Sequence, residues 1–491
     1  MSTRKRIVVF SGGSAANNLI DVFTALCRDK PRGLDFVLPI SDNGGSTSEI
    51  LRVFGGPSIG DVRSRLIRLV PEDEHGPERV AIKGLLNHRL ASENDAAKAE
   101  WYAIVEGRHE LWSGISPEKR ELIRSFFSLL NHELTKRTRP SSSFNFQSAS
   151  LGNLFLTGAR IFTGSFESAI YLFHSITGIP DYISVIPAIN SNFAHHIAAG
   201  LEDGTVIVGQ NQISHPSPEH ALPVEFSNGY TDSFTLSNAS GSLIDSAVEE
   251  DDEEYHDSDH EEEDANLPGS LKELRRQNIE FSKTDEKALS SPIERIWYIN
   301  PYGQEIRPAI NPKVIASLKQ SEAIIYSIGS LYTSLIPCLV LRNLGNTILS
   351  TNPSTPKILL LNGSHDRETG PNQETFTALS FIRAVVRACL NCASVSPDHY
   401  RRIVTHVIYL EGNGAPRVEI EELKKLGIEP IRVYGRRNPA GAGKGMLYDP
   451  APLLQSLYAI LGTRRMGVDT RRNTVNGVVG VRTPRSVSPT E

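Results

Sequence analysis

An apolar run, Arg6 to Phe10 (RIVVF), stops abruptly at Ser11-Gly12-Gly13-Ser14. Beyond that turn Leu19, Val22, Phe23 and Leu26 recur at helical spacing, which predicts an amphipathic helix. Pro31 and Gly33 end it, and residues 35–40 (DFVLPI) predict a second strand. That strand should close near Pro39, because proline donates no ladder hydrogen bond. Strand, glycine turn, helix and strand in so short a span form a βαβ unit, the signature of a parallel sheet with right-handed crossovers. The pattern pauses over 71–145, a polar stretch with charged segments such as 92–101 that predicts a helical insertion, with loop at Ser141–Ser143. It resumes at Gly152. Residues 180–190 and 204–209 are short β-rich runs, separated by His195, His196 and a turn over 200–204. Residues 295–299 (RIWYI), Ala323–Ile328, Lys357–Leu361, Val404–Leu410 and Ile428–Val433 are further strand-like runs, with helical stretches between the later ones. The expected fold is α/β: a Rossmann-like three-layer sandwich around a mostly parallel sheet, as one domain over 1–462. Residues 463–491 carry several arginines and little apolar periodicity, and are expected to fray.

Composition changes this picture in one place. From about 215 to 290 Pro, Ser, Asn and acidic residues dominate, and Glu249 to Asp264 holds 12 acidic residues and no Lys or Arg. Such a stretch buries too little apolar surface to offset its ordering entropy, so it reads as a disordered acidic insertion within the domain. It also masks the charge of the rest. The chain carries 51 basic and 57 acidic residues, net −6; without those 12 the remainder is +6. A mildly basic body suits phosphate-bearing ligands. It is too weak an excess to argue for nucleic acid, and the aromatic-basic interleaving of single-strand binders is absent. Four cysteines in 491 residues do not suggest a disulfide scaffold. Arg4-Lys5-Arg6 precedes only a short apolar run, which does not read as a secretory leader, and no apolar run reaches the roughly 20 residues that span a bilayer. The expectation is a cytoplasmic protein with no membrane and no nucleic-acid partner.

The candidate chemistry sits in loops. Ser11-Gly12-Gly13-Ser14 follows the first strand, where glycines let the backbone approach a ligand and the next helix start offers free N–H groups. Ser41-Asp42-Asn43-Gly44-Gly45-Ser46-Thr47 follows the second strand, at the same carboxyl edge of a parallel sheet, where ligands collect. Asp42 there offers a carboxylate for Mg²⁺ or for a hydroxyl proton. Gly329-Ser330-Leu331-Tyr332-Thr333-Ser334 follows a later strand, and Gly152-Asn153 opens an apolar helical run. Each loop alone also reads as a turn or a helix cap. Gly441-Ala442-Gly443-Lys444-Gly445 imitates a P-loop but puts Asn438 in place of the first glycine and Gly445 in place of the hydroxyl residue, so it is rejected. Cys389 and Cys392 lack the further ligands a zinc site needs and read as buried thiols. His195 and His196 are adjacent and point apart, so one at most is an acid-base candidate.

Taken together and in order, these loops resemble the CofD/YvcK family. The resemblance rests on Ser11-Gly12-Gly13, on Asp42-Asn43-Gly44-Gly45-Ser46 where the family has D-D-G-G-S, and on Leu51-Arg52. It continues through Pro57-Ser58-Ile59-Gly60-Asp61-Val62-Arg63, Gly152-Asn153-Leu154, the run Ser327 to Pro337, and Arg367-Glu368-Thr369-Gly370. Two departures stand out: Asn43 replaces the second carboxylate of the D-D pair, and Ser327-Ile328 replace Gly-Pro. The resemblance implies a Rossmann-like fold, often as a homodimer. CofD-type members transfer a phospholactyl or phosphoenolpyruvyl group from a nucleoside-diphosphate ester to a deazaflavin alcohol, with Mg²⁺. YvcK-type members look like regulators of carbon metabolism that bind nucleotide-sugars, and these motifs sit nearer that branch. Carried onto this sequence, the resemblance implies Asp42 and Asp61 as catalytic residues, with Asp42 on Mg²⁺. The implied ligand-binding residues are Gly12, Gly13, Asn43, Gly44, Gly45, Ser46, Arg63, Gly152, Asn153, Gly329, Ser330, Tyr332 and Thr333.

Overall fold

The computed structural model describes residues 4–28, 30–41, 44–72, 76–139, 143–214, 271, 288–392, 395–438 and 445–462. Asp42, Asn43, nearly all of the acidic stretch, Gly441–Lys444 and the tail 463–491 lie outside the described residues.

Seven strands form one parallel sheet in the order β3-β2-β1-β8-β9-β10-β11. They are β1 (Arg6–Phe10), β2 (Gly33–Leu38), β3 (Ile183–Pro187), β8 (Ser321–Tyr326), β9 (Lys357–Leu360), β10 (His406–Tyr409) and β11 (Glu429–Arg432). Ile7, Val8, Val9 and Phe10 are all fully buried, as are Leu34, Phe36, Val37 and Leu38. Burial of successive side chains, which point to opposite faces, requires helices on both sides of the sheet, and this is why these strands read as unbroken apolar runs. Strand β2 stops at Leu38, just before Pro39, as the missing N–H demands. From β1 the chain winds outward to β2 and β3, then returns to β8 on the other side of β1 and winds outward to β11. The winding direction reverses between β1 and β8.

A second, antiparallel sheet, β5-β4-β6-β7, was not anticipated. It is made from β4 (His196–Leu201), β5 (Val206–Val208), β6 (Ile293–Ile299) and β7 (Glu305–Ile306). The expected break at His195-His196 is corrected: His196 begins strand β4, where Ile197, Ala198 and Ala199 are all buried and pair with β6. The short hairpin β12 (Gly435–Arg437) with β13 (Met446–Tyr448) closes the far end. There the Tyr448 hydroxyl donates to the carbonyls of Leu361 and Ile408 at 2.7 and 2.8 Å.

The helices that matter for the site are α1 (Ile20–Arg28), α2 (Ser46–Phe54), α3 (Gly60–Leu69), α4 (Pro77–Asn87), α5 (Asn94–Val105), α6 (Pro117–Arg137), α7 (Leu151–Thr163) and α8 (Phe166–Thr177). The stretch 71–145 is helical but not polar throughout. Trp101, Trp112 and Phe127 are buried in a tilted aromatic cluster that reaches Phe155 of α7. Gly158 lets α7 approach α6, since a methyl group there would lie 2.4 Å from the Phe126 carbonyl oxygen. This packing fixes α7, and α7 in turn fixes α2 and α3. Among the described residues no helix is long and apolar enough to cross a membrane.

Candidate functional site

Ligands of open parallel sheets bind at the carboxyl ends of strands where the winding direction reverses. Here that point lies between β1 and β8, and the glycine loops that follow these two strands meet there. A methyl group on Gly12 would sit 2.4 Å from Ser334 Oγ, so the loop after β1 and the loop after β8 are in direct contact. One on Gly13 would sit 2.3 Å from Asp61 Oδ1 and 2.7 Å from Asp61 Cα. Neither glycine has a positive φ; close approach, not backbone freedom, requires them.

Helix α3 braces the loop from behind. Arg65 Nη2 donates to Ser11 Oγ at 3.1 Å and to the Gly12 carbonyl at 2.8 Å. Ser64 Oγ donates to the Gly13 carbonyl at 3.3 Å and accepts from Asn17 Nδ2 at 3.0 Å. The same helix carries Arg63 across to α7. Its Nε donates to Asn153 Oδ1 at 3.3 Å, and its aliphatic stem covers Gly152, where a methyl group would lie 2.9 Å from Arg63 Cγ and 2.5 Å from the Leu86 carbonyl. Asn153 is buried and donates to Ser46 Oγ at 3.1 Å. It thereby ties α7 to the first turn of α2. Gly45 precedes that turn at φ +56 with open space around it. Thr47 N donates to the Gly44 carbonyl at 3.3 Å.

The loop after β8 is held by residues that sequence reasoning did not place in the site. Gly329, at φ +145, donates its N–H to Asn362 Oδ1 at 3.1 Å, and Asn362 Nδ2 donates to the Gly329 carbonyl at 2.8 Å. Leu331–Leu335 form a wide π-type turn, a rare conformation that recurs at functional sites. Glu368 sustains it: Oε2 accepts from the N–H groups of Tyr332 and Thr333 at 2.9 and 3.1 Å, and the Thr333 hydroxyl donates to Oε1. Burial, with Asp366 nearby, pushes the Glu368 carboxyl up to about 8, against the pull of these hydrogen bonds. Beside it Arg367 Nη1 donates to the Ile213 carbonyl at 2.8 Å, at the end of the short helix Gln210–Ser214. Gln210 Oε1 accepts from Ser41 Oγ at 3.2 Å, so the small sheet's trailing helix borders the loop that follows β2.

Three groups of expected site residues are therefore brought together. Gly12, Gly13 and Asp61 touch; Arg63, Gly152, Asn153 and Ser46 form a second knot; Gly329, Ser330, Tyr332 and Thr333 join the first group through Ser334. Asp42 and Asn43 lie outside the described residues, and with them the expected metal ligand. His196 opens the small sheet and His195 immediately precedes it, with the His195 ring 6.2 Å from that of Tyr298. Burial pushes His196 down to about 4, the wrong direction for a proton shuttle near neutral pH. Cys389 is buried as expected, but Cys392 is exposed, because the helix ends at Leu390 and Asn391 turns the chain outward at φ +48. The missed residues differ in how visible they were. Glu368 lies in a quoted motif, whereas Asn362, Arg65 and Ser64 carry no sequence signal. A cavity of about 410 Å³ lies elsewhere, against β3 and the start of β1, and is lined by Arg6, Asp35, Glu167 and Lys313. Its charges close on each other: Arg6 with Asp35, and Lys313 with Glu167 at 2.5 Å.

Glycine loops meeting at the reversal point of a parallel sheet define a Rossmann-like α/β protein. The chain belongs to the family described as 2-phospho-L-lactate transferase CofD, which it matches over residues 7–434. That membership places it, at the level of the family, among phosphotransferase-like proteins. It is 43% identical over 429 residues to protein YNL011C of Saccharomyces cerevisiae, covering 85% of this chain and 92% of the yeast protein. It is similar in fold to crystal structures of a UPF0052-family protein from Bacillus halodurans. One superposes with a TM-score of 0.55 at 16% identity, over 94% of this chain and all of that one. A second gives 0.54 at 16% identity, over 92% and 98%.

Proposed function

We propose that this chain binds a nucleoside-diphosphate ester at the reversal point and transfers a phospholactyl- or phosphoenolpyruvyl-type group to an alcohol acceptor. The observation that carries the reading is the meeting of the loops after β1 and β8 around Gly12, Gly13, Asp61 and Ser334. The main chain at Gly12-Gly13 and Gly44-Gly45, with Ser330 and Thr333, would cradle phosphate oxygens. Arg63 would neutralise charge on the diphosphate, a task that suits a planar guanidinium. Asp61 and Asp42 would orient the acceptor hydroxyl. Such transfers depend mostly on positioning and electrostatics.

Mg²⁺ fits the donors on one side of the site. Among the described residues no three His, Cys, Asp or Glu side chains group as an all-protein metal site. Mg²⁺ is nonetheless commonly held by one or two carboxylates and the substrate's own phosphates, and Asp61 beside Gly13 supplies one carboxylate. Bound there, the ion would neutralise charge developing on the diphosphate.

A second reading, a non-catalytic regulator that binds a nucleotide-sugar, is favoured by Asn43 standing in place of a second carboxylate. Calorimetry with GDP, UDP and UDP-sugars, with and without Mg²⁺, combined with product analysis, separates the two. Metal-dependent binding of a nucleoside-diphosphate ester with turnover supports the transferase. Tight nucleotide-sugar binding without turnover supports the regulator, and absence of binding by every nucleotide removes both.

A further inference from the structure

Arg65 is fully buried on α3. Its guanidinium lies over the Phe36 ring, with Cζ 4.6 Å from the centroid. Nη2 donates to Ser11 Oγ and to the Gly12 carbonyl. Among the described residues Nε and Nη1 have no hydrogen-bond partner. A buried cation is ordinarily paired and saturated with acceptors, because desolvation of an unpaired charge is expensive. The same protein shows the ordinary case. Arg32, 2% exposed, donates through Nε and Nη2 to Glu322 and through Nη1 to the Leu26 carbonyl.

The carbonyls that α3 holds dictate where the opposite sides of those peptides face. In a trans peptide the C=O and the following N–H point in opposite directions. Arg65 fixes the Gly12 carbonyl and Ser64 fixes the Gly13 carbonyl. The N–H groups of Gly13 and Ser14 therefore both turn away from α3. Successive main-chain N–H groups turned to one side make an anion-binding concavity. Behind this one stands a buried guanidinium whose charge is offset in part by Asp61 on the same helix but whose Nε and Nη1 have no hydrogen-bond partner among the described residues.

We propose that Arg65 is a positioning residue for the diphosphate of the ligand: it sets the Gly12-Gly13 peptides so that the N–H groups of Gly13 and Ser14 face the anion, and its buried positive charge, offset only in part by Asp61, is balanced further when that anion is seated. The proposal rests on the phosphate-binding reading above and adds a specific device to it. It separates Arg65 from Arg63, which faces Asn153 and α7 and was expected to touch the ligand itself. It also assigns Ser64 the lesser share of the same task.

The test compares the full-length chain with Arg65→Met, Arg65→Lys and Ser64→Ala in calorimetric titrations. The probes are GDP and UDP, the corresponding nucleosides, and inorganic pyrophosphate. The wild type must first bind a nucleoside diphosphate or pyrophosphate; if it binds none of them, the functional reading falls and takes this inference with it. Given wild-type binding, Arg65→Met is expected to weaken diphosphate and pyrophosphate binding by about 100-fold, with nucleoside affinity unchanged. Arg65→Lys should recover part of the loss, because it restores charge but not the fork that holds Gly12. Ser64→Ala should cost less than tenfold. A purely structural role predicts instead that nucleoside and diphosphate affinities fall by the same factor, and that result overturns the proposal. So does wild-type diphosphate affinity in Arg65→Met. Should Arg65→Met not fold, Arg65→Lys and Ser64→Ala decide: diphosphate-selective losses support the proposal, and unchanged or unselective binding sinks it while the functional reading stands.

Discussion

Arg32 and Arg65 stand at opposite ends of the same parallel sheet and solve burial in opposite ways. Arg32 precedes β2 at the amino end, with its guanidinium on the Glu322 carboxylate at 2.6 and 2.8 Å. Arg6, a neighbour at that end, is likewise closed on the buried Asp35 and held above its usual range chiefly by that hydrogen bond. Arg65 lies under the carboxyl-end loops, and burial pushes it down to about 9. Saturated pairs hold strands in register; an unsaturated buried cation beneath a glycine loop is expensive unless something outside the chain completes it. The difference marks one end of the sheet as structural and, on the reading proposed above, the other as a place for an anion.

Breaking the structural end should have the largest effect on folding. Glu322→Ala would leave Arg32 buried without its counter-charge and is expected to destabilise the protein by about 3 kcal/mol. Ligand affinity of the folded fraction should stay as in the wild type; urea denaturation together with binding titrations measures both.

The next effect lies at the carboxyl end and depends on pH. The Glu368 carboxyl is raised to about 8 in the fold, so folding favours its protonated form. Its contribution to stability is fully present below its ordinary range, near pH 4.5, and is lost as pH rises through about 8, a change on the order of 2–4 kcal/mol. Glu368→Gln keeps an acceptor for Tyr332 and Thr333 and should flatten that slope. Denaturation midpoints at pH 5, 6.5 and 8 for both proteins test it, and equal slopes would remove the argument.

Two glycine substitutions sharpen the comparison within the site. Gly13→Ala would drive a methyl group into the Asp61 main chain, and overpacking of that kind costs about 2 kcal/mol. Phosphate binding should fall with it, because the loop and α3 must part. Gly45→Ala meets open space and suffers only its backbone conformation, φ +56 and ψ −143, a strain of about 1–3 kcal/mol. Thermal melts should show both variants destabilised, and phosphate titrations should show the larger loss in Gly13→Ala, whose methyl group displaces Asp61.

The strands, the βαβ opening and the glycine loops were legible because each is written locally. Both-face burial makes β1 and β2 unbroken apolar runs, and a proline ends β2 where its missing N–H requires. The small antiparallel sheet was not legible. Its strands β4 and β6 pair across a long acidic interval, and His196 at the head of β4 looks like a polar break until its burial is seen. Within the site, Gly12 and Gly13 could be picked out but their reason could not. They are small because Ser334 and Asp61 arrive from elsewhere, not because the turn needs a positive φ.

The sequence by itself determined the α/β class, the winding of the first strands and the types of residue that crowd the carboxyl ends, since periodicity, proline and glycine act within a few residues. Which arginine is buried, which carboxylate supports the turn at Leu331–Leu335, and which two loops touch were decided only by the tertiary structure. Burial and counter-charge are properties of neighbours brought from distant parts of the chain. Arg63, Arg65 and Arg68 look alike along α3 until Asn153, Phe36 and Asp21, respectively, are packed against them.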